Sequence, residues 1–391
     1  MSEKRYLQTQ VESDLQEKMV FIGGPRQVGK TTLARHIGER QYPGYSYLNW
    51  DNIGNRKTIL RAVFDPEAGL AIFDEIHKYR NWKNYIKGQF DVYKDRFHIL
   101  VTGSARLDLY RRGGDSLMGR YHYLRLHPLS VAELVGSMEL VLPFEELSFS
   151  KSNETQSIVD RLLRFGGFPE PYFRGDARTL RRWHNQRMEK IVKEDIRDLE
   201  SIRDLSSLQV LVFLLPERIG SPLSIRSLQE DLAVSYKTMA HWLDILERFY
   251  FHFRLSPYSI KGINALRKER KLYLWDWSQV SDDAARLENM VASHLLKFCH
   301  FLYDAHGYQA ELSYLRDRDG HEVDFLVSVD RKPWFAVEVK STDMTVSKQL
   351  LYFGRKLDIP FKYQLVNVPD TDFIQKDVRV MDVGTFLRGL V

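Results

Sequence analysis

At 391 residues, with 43% hydrophobic and 28% charged side chains, the chain has a globular composition, which excludes a fibrous, low-complexity or largely disordered protein. A soft prior of roughly 150 residues per domain allows two or three domains, each with its own core. The formal charge of +5 permits a polyanionic partner without demanding one.

The single cysteine, Cys299, rules out an internal disulfide and a cysteine-only metal site, and its neighbours Leu295, Leu296 and Phe298 place it in a buried helix. No stretch reaches the roughly 18 uncharged apolar residues that a membrane span needs. Residues 1–6 are charged and lack the apolar run of a signal peptide, so the expected location is cytoplasmic, with no membrane partner.

In chain order, residues 18–23 form an apolar run that reads as a buried parallel strand. It leads into Gly24, Pro25, Arg26, Gln27, Val28, Gly29, Lys30 and Thr31, which fit G-x-x-x-x-G-K-[ST]. Thr32 follows, and then Leu33, Ala34 and Ile37 at helical spacing. Glycines let backbone N–H groups close around phosphate oxygens, a helix N-terminus adds positive potential, and a lysine reaches the terminal phosphates. Residues 24–32 are therefore the expected ATP-binding set, with Lys30 catalytic and the Thr31 hydroxyl offered to Mg²⁺.

A second buried-strand pattern, residues 69–73, ends in Asp74 and Glu75, as expected of a parallel neighbour of the first strand. In this arrangement Asp74 holds Mg²⁺ and Glu75 acts as general base on the attacking water. Residues 96–102 form a further strand, after which Ser104 (or Thr102) sits where a sensor of the γ-phosphate belongs; capping of a following helix explains the serine equally well. Arg106, Arg111, Arg112 and Arg120 are candidates for an arginine finger, and Arg120 is the one selected.

The run from Gly24 to Leu33, the sequence Phe73-Asp74-Glu75-Ile76-His77, Thr102-Gly103-Ser104, Gly119-Arg120 and Leu126-His127-Pro128-Leu129-Ser130 resemble the prokaryotic AAA+ ATPases paired with a DUF4143 region. Gly166-Gly167-Phe168-Pro169, residues 193–196, residues 271–276 and Glu288-Asn289 extend that resemblance over nearly the whole chain. It implies an AAA+ core, a winged-helix module and a nuclease-like C-terminal fold. By analogy it also implies a homo-oligomer such as a hexameric ring.

From about Ile158 to Leu215 apolar residues recur at three and four positions, which reads as helices, and in an AAA+ protein as the lid over the nucleotide. Residues 224–232, a turn at 233–235 and residues 236–249 have helix-turn-helix spacing. The second helix opens with Tyr236, Lys237, Thr238 and His241, side chains able to touch DNA. Residues 249–255 are strand-like, and Lys261, Arg267, Lys268, Arg270 and Lys271 suit a basic wing on the phosphate backbone. A protein-docking winged helix accounts for the same pattern.

Residues 322–330, a turn at 331–333 and residues 334–340 read as a hairpin. Period-two geometry puts Glu338 and Lys340 on one face, and strand pairing brings Asp324 beside them. Asp324 and Glu338 would bind Mg²⁺ and Lys340 would position or deprotonate water, with Glu288 as a fourth member, as in the PD-(D/E)xK nuclease pattern. A retained scaffold without cleavage fits as well.

The expected fold is α/β: a P-loop AAA+ parallel sheet over residues 1–136, a helical lid over 137–215, a winged helix over 216–275 and a nuclease-like α/β domain over 276–391. The expected function is Mg²⁺-dependent ATP hydrolysis coupled to binding or movement on DNA. The rival readings are a nucleotide-dependent switch that docks a protein partner and an ATP-gated metal-dependent nuclease.

Overall fold

The structure, a computed structural model, describes residues 4–103, 117–137, 141–150, 154–196, 204–259 and 269–391, with the backbone alone over 193–195. Ser104, Arg106, Arg111 and Arg112, and the basic residues Lys261, Arg267 and Lys268, lie outside the described residues. The chain divides into two compact units, Met1–His127 and Pro128–Val391.

The first unit is built on β1 (Met19–Gly23), β2 (Tyr45–Asn49), β3 (Leu70–Asp74), β4 (His98–Thr102) and β5 (Tyr121–Arg125). All pair in parallel in the order β2-β3-β4-β1-β5. The uninterrupted apolar runs in β1 and β3 match this, because a central parallel strand is covered on both faces. The helices are α1 (Gln8–Asp14), α2 (Lys30–Gln41), α3 (Ile53–Arg61) and α4 (Trp82–Tyr93). Phe21, Phe73, Val101, Trp82 and Ile86 form part of one buried cluster beneath the sheet. The carboxylate-bearing strand is not the neighbour of β1 that sequence alone suggested. β4 lies between them, since a crossover of this kind can place its return strand one position further along the sheet.

The second unit begins with α5 (Val131–Val135), whose N-cap Ser130 and Glu133 form a capping box. Four helices follow: α6 (Thr155–Phe165), α7 (Pro169–Arg174), α8 (Ala177–Glu189), which continues into a π-helical turn at Lys190–Ile196, and α9 (Leu205–Leu214). Next come α10 (Ile225–Leu232) and α11 (Tyr236–Arg248), joined by a turn in which Ala233 has φ 51°, and the antiparallel pair β6 (His252–Leu255) and β7 (Lys271–Leu274). Ser224 and Ser235 cap the two helices, and α11 buries Met239, Trp242, Leu243, Ile245 and Leu246.

A 24-residue helix, α12 (Asp283–His306), holds the buried Cys299. The mixed sheet comprises β8 (Ala310–Arg316), β9 (Glu322–Val329), β10 (Lys332–Lys340), β11 (Phe361–Val366), β12 (Asp372–Gln375) and β13 (Val378–Asp382), in the order β12-β13-β11-β10-β9-β8. The helices α13 (Lys348–Lys356) and α14 (Val383–Arg388) complete the unit. The hairpin turn expected at residues 331–333 begins one residue earlier and is two residues long, at Asp330 and Arg331 with φ 50° and 64°. Such left-handed pairs suit the twist of the flanking strands, so Pro333 falls inside β10 beside a register shift.

Residues that carried the family resemblance meet in this unit as a structural joint. A Cβ on Gly167 would lie 2.5 Å from Trp277 and 2.8 Å from the Leu129 carbonyl, and Leu129 N–H donates to Gly167 O over 2.7 Å. The Asn289 side chain accepts from Leu274 N–H and donates to Leu274 O, both at 2.8 Å, and Trp277 Nε1–H donates to Leu162 O at 2.8 Å. Buried Lys297 pairs with buried Glu133 and also donates to Ser130.

Candidate nucleotide site and a buried carboxylate cluster

At the C-terminal edge of the parallel sheet, β1 passes into a loop that ends at α2. Gly24 has φ 127°, and a Cβ there would come 2.4 Å from Leu126 O. Gly29, the residue before α2, has φ 101°, a conformation suited to glycine. Lys30 is buried, and its ammonium donates to Gly24 O at 3.0 Å and Pro25 O at 2.6 Å, which curls the loop over the lysine.

The sheet register aligns Asn49 with Asp74 and Asp74 with Thr102, so three strand tips present polar groups in one row. Three hydroxyls converge on the Asp74 carboxylate. Thr102 Oγ1 donates to Oδ1 at 2.6 Å, while Thr31 Oγ1 and Tyr47 OH donate to Oδ2 at 3.0 and 2.6 Å. Burial, and then the hydrogen bond to Asp74, push the Tyr47 phenol up to about 12, which keeps it a donor. Thr31 and Asp74 are hard oxygen donors in mutual contact, the chemistry that suits Mg²⁺.

Two contributors were not singled out from sequence. Tyr47 sits on an edge strand that reads as an ordinary alternating run, and only the strand register shows its aim. Arg5, nine-tenths buried, donates to Val28 O at 2.7 Å and His127 O at 2.5 Å, tying the middle of the loop to the end of the first unit. A lone basic residue near an N-terminus carries no motif.

Glu75 has φ 57° and its N–H donates to Thr102 O at 3.0 Å. Its Oε2 lies 3.4 Å from Lys78 Nζ and 3.5 Å from His77 Nε2. Arg120 is not brought to the loop. Arg120 O accepts from Met19 N–H at the start of β1, so the residue lies at the opposite edge of the sheet, about 16 Å away along a five-residue strand. There its guanidinium pairs with Asp91 on α4 at 2.9 Å.

In the second unit, Asp324, Glu338, Lys340 and Glu288 do assemble as expected. Val339 N–H donates to Asp324 Oδ2 at 2.8 Å, and Lys340 Nζ lies 2.7 Å from Glu338 Oε1. Burial and Asp324 push Glu338 up to about 7 and Glu288 up to about 8. Burial disfavours charge on Lys340, but Glu338 and Asp324 outweigh it and hold the proton on.

Lys271, expected on an exposed basic wing, is instead among the most buried residues, because its place on β7 directs it toward β9 and α12. Its Nζ is 2.6 Å from Glu322 Oε1 and 3.7 Å from both Glu288 Oε1 and Asp324 Oδ1. Tyr273 OH donates to Glu288 Oε1 at 2.7 Å. Among the described residues, a set of three acidic or imidazole donors all within 4.8 Å of one another occurs at Asp317, Asp319 and His321, not at Glu288, Asp324 and Glu338. The cluster as folded does not fit a resident metal ion.

Tyr236, Lys237 and His241 are exposed at the start of α11. Among the described residues no helix is long and apolar enough to cross a membrane.

Three family models match in succession: residues 16–135 an AAA domain, residues 156–282 a domain of unknown function (DUF8612), and residues 284–385 a domain of unknown function (DUF4143). An uncharacterised protein of Haemophilus influenzae is 24% identical over 363 residues, covering 83% of each chain. An uncharacterised protein of Methanocaldococcus jannaschii is 24% identical over 337 residues, covering 81% of this chain and 73% of the relative. Among solved structures, the RuvB Holliday junction branch migration motor of Thermotoga maritima is 18% identical with a TM-score of 0.30, covering 63% of this chain and 87% of that one. Bacteroides Pif1 bound to ssDNA is 12% identical with a TM-score of 0.25, covering 42% of this chain and 57% of that one. The chain thus carries an AAA domain over residues 16–135 and a DUF4143 domain over residues 284–385.

Proposed function

We propose that the first unit binds ATP with Mg²⁺ at the loop 24–31 and hydrolyses it. The carrying observation is the convergence of Thr31, Tyr47 and Thr102 on Asp74 beside the lysine-bearing loop. In this reading Lys30 exchanges its two carbonyl partners for phosphate oxygens, and Gly24, Pro25, Arg26, Gln27, Val28, Gly29 and Thr32 line the phosphates. Mg²⁺ at Thr31 and Asp74 would neutralise the charge that develops on the phosphates. Tyr47 and Thr102 hold Asp74 in one orientation, a fixed dipole arrangement that needs no rearrangement as charge builds. Glu75, one residue beyond, polarises the attacking water, with Lys78 and His77 keeping its carboxylate in place.

We further propose that turnover is coupled to DNA through α10, α11 and the β6–β7 pair, read as a winged helix, with Tyr236, Lys237 and His241 on its contact face. The helices α6 to α9 are read as the lid. Arg120 would act on the nucleotide of a neighbouring copy, with Asp91 as its resting partner. The test is ATP turnover with single-stranded, duplex and branched DNA over a salt series. Stimulation that fades steeply with salt supports DNA coupling; turnover indifferent to DNA favours a protein-docking switch; no turnover at all removes the reading.

A further inference from the structure

Two of the carboxylates that would form a nuclease-type metal site, Glu288 and Asp324, lie beside a cation. Lys271 is fully buried, with its ammonium 2.6 Å from Glu322 and 3.7 Å from both Glu288 and Asp324. Those distances are those of direct and near-direct ion pairing, which at low solvent access stabilises a charge strongly. A buried ammonium at these distances is answered by the acidic groups themselves.

We propose that the ammonium of Lys271 is the resident cation of this cluster, standing where a divalent metal ion would otherwise be held, so that the native chain is closed to metal there. A lysine on β7 shares its carboxylates with any incoming ion, and removing one charge of a buried network leaves the others uncompensated. Loss of the Lys271 charge therefore converts the cluster into a ligand set in need of a cation. One member of the cluster, Glu288, borders open space. A cavity of about 340 Å³ is lined by Gly220, Ser221, Asp282, Glu288, Val339 and Ser341, with Glu288 forming part of its wall. Glu338 Oε2, buried without a hydrogen-bond partner, is the remaining oxygen such an ion would take. Metal-dependent cleavage by the native chain is not expected on this basis. The inference rests on the geometry of the second unit and not on the phosphate loop, so neither failure implies the other.

The experiment is Mn²⁺ binding by electron paramagnetic resonance and calorimetry on the full chain without nucleotide, in an Asp74→Asn background that silences the first site. The native cluster should bind no Mn²⁺ that Asp324→Asn removes. Lys271→Met should gain one site, at least tenfold tighter than any residual binding by the native chain, which Asp324→Asn abolishes in turn. Far-UV circular dichroism checks the fold, and Lys271→Gln serves as the second variant. Mn²⁺ held by the native chain and lost on Glu338→Gln overturns the proposal whether or not either lysine variant folds. So does a folded Lys271 variant that gains no site.

Discussion

Thr102 Oγ1 donates to Asp74 Oδ1 at 2.6 Å from a strand that separates Asp74 from the phosphate loop. The intervening strand therefore sets the orientation of the acidic side chain. Thr102→Val keeps the shape and deletes the donor. Hydrogen bonds to a charged group contribute about 1.5–3 kcal/mol, so ATP turnover should fall roughly 10- to 100-fold with the fold intact. Steady-state kinetics beside a melting curve would decide it, and unchanged kcat would remove Thr102 from the arrangement.

Lys30→Ala and Glu75→Gln should separate binding from chemistry. The first removes the ammonium that faces the phosphates and should weaken nucleotide binding and turnover together. The second keeps nucleotide binding while kcat drops by about 10²–10⁴, the usual contribution of a general base. Normal hydrolysis by Glu75→Gln would mean that another group activates the water.

Arg5→Ala should loosen the loop without touching a phosphate. The guanidinium holds Val28 O and His127 O, and losing a buried donor of this type costs about 1–3 kcal/mol. The melting temperature and the affinity for ATP should both fall. Stability lost with affinity unchanged would show that Arg5 serves the fold alone.

His294 gives the second unit an acid limit. Val131 N–H donates to its Nε2 at 3.2 Å and its Nδ1 faces Met290 O at 2.8 Å, so the ring is neutral with its proton on Nδ1. Burial depresses it from 6.5 to about 4. The unfolded chain binds a proton that the folded chain does not between those values. The stability that His294 contributes is therefore fully present above pH 6.5 and is lost as the pH falls toward 4, by about 3 kcal/mol for a depression of this size, while Glu288 and Glu338, which take up protons on folding, act in the opposite direction. Buried His252, also depressed, acts in the same direction. Denaturant titrations from pH 7 to 4 should differ in slope between the native chain and His294→Gln by this amount, the carboxylates being common to both. Identical slopes would remove His294 as the cause.

The phosphate loop, the strand before it and the acidic pair at Asp74 were legible because each depends on local chemistry: glycine where φ must be positive, an apolar run where both faces are covered, a carboxylate at a strand tip. Tyr47 and Arg5 were not, since their roles arise from strand register and from a contact spanning 122 residues. Arg120 was chosen by residue type alone, and only the sheet direction shows that it lies at the far edge from its own loop, beside Asp91. Lys271 read as part of a basic run, and only the fold shows that it opens a strand buried along its whole length.

Gly167 offers a wider lesson for tracing kin of this chain. Its absent side chain is what allows Trp277 and the Leu129 carbonyl to come close. The conspicuous Gly-Gly-Phe-Pro signature is thus a mark of masonry and not of chemistry. Searches keyed to it will gather proteins of one build whatever reactions they perform, and grouping by task requires comparing the hydroxyl-bearing strand tips instead.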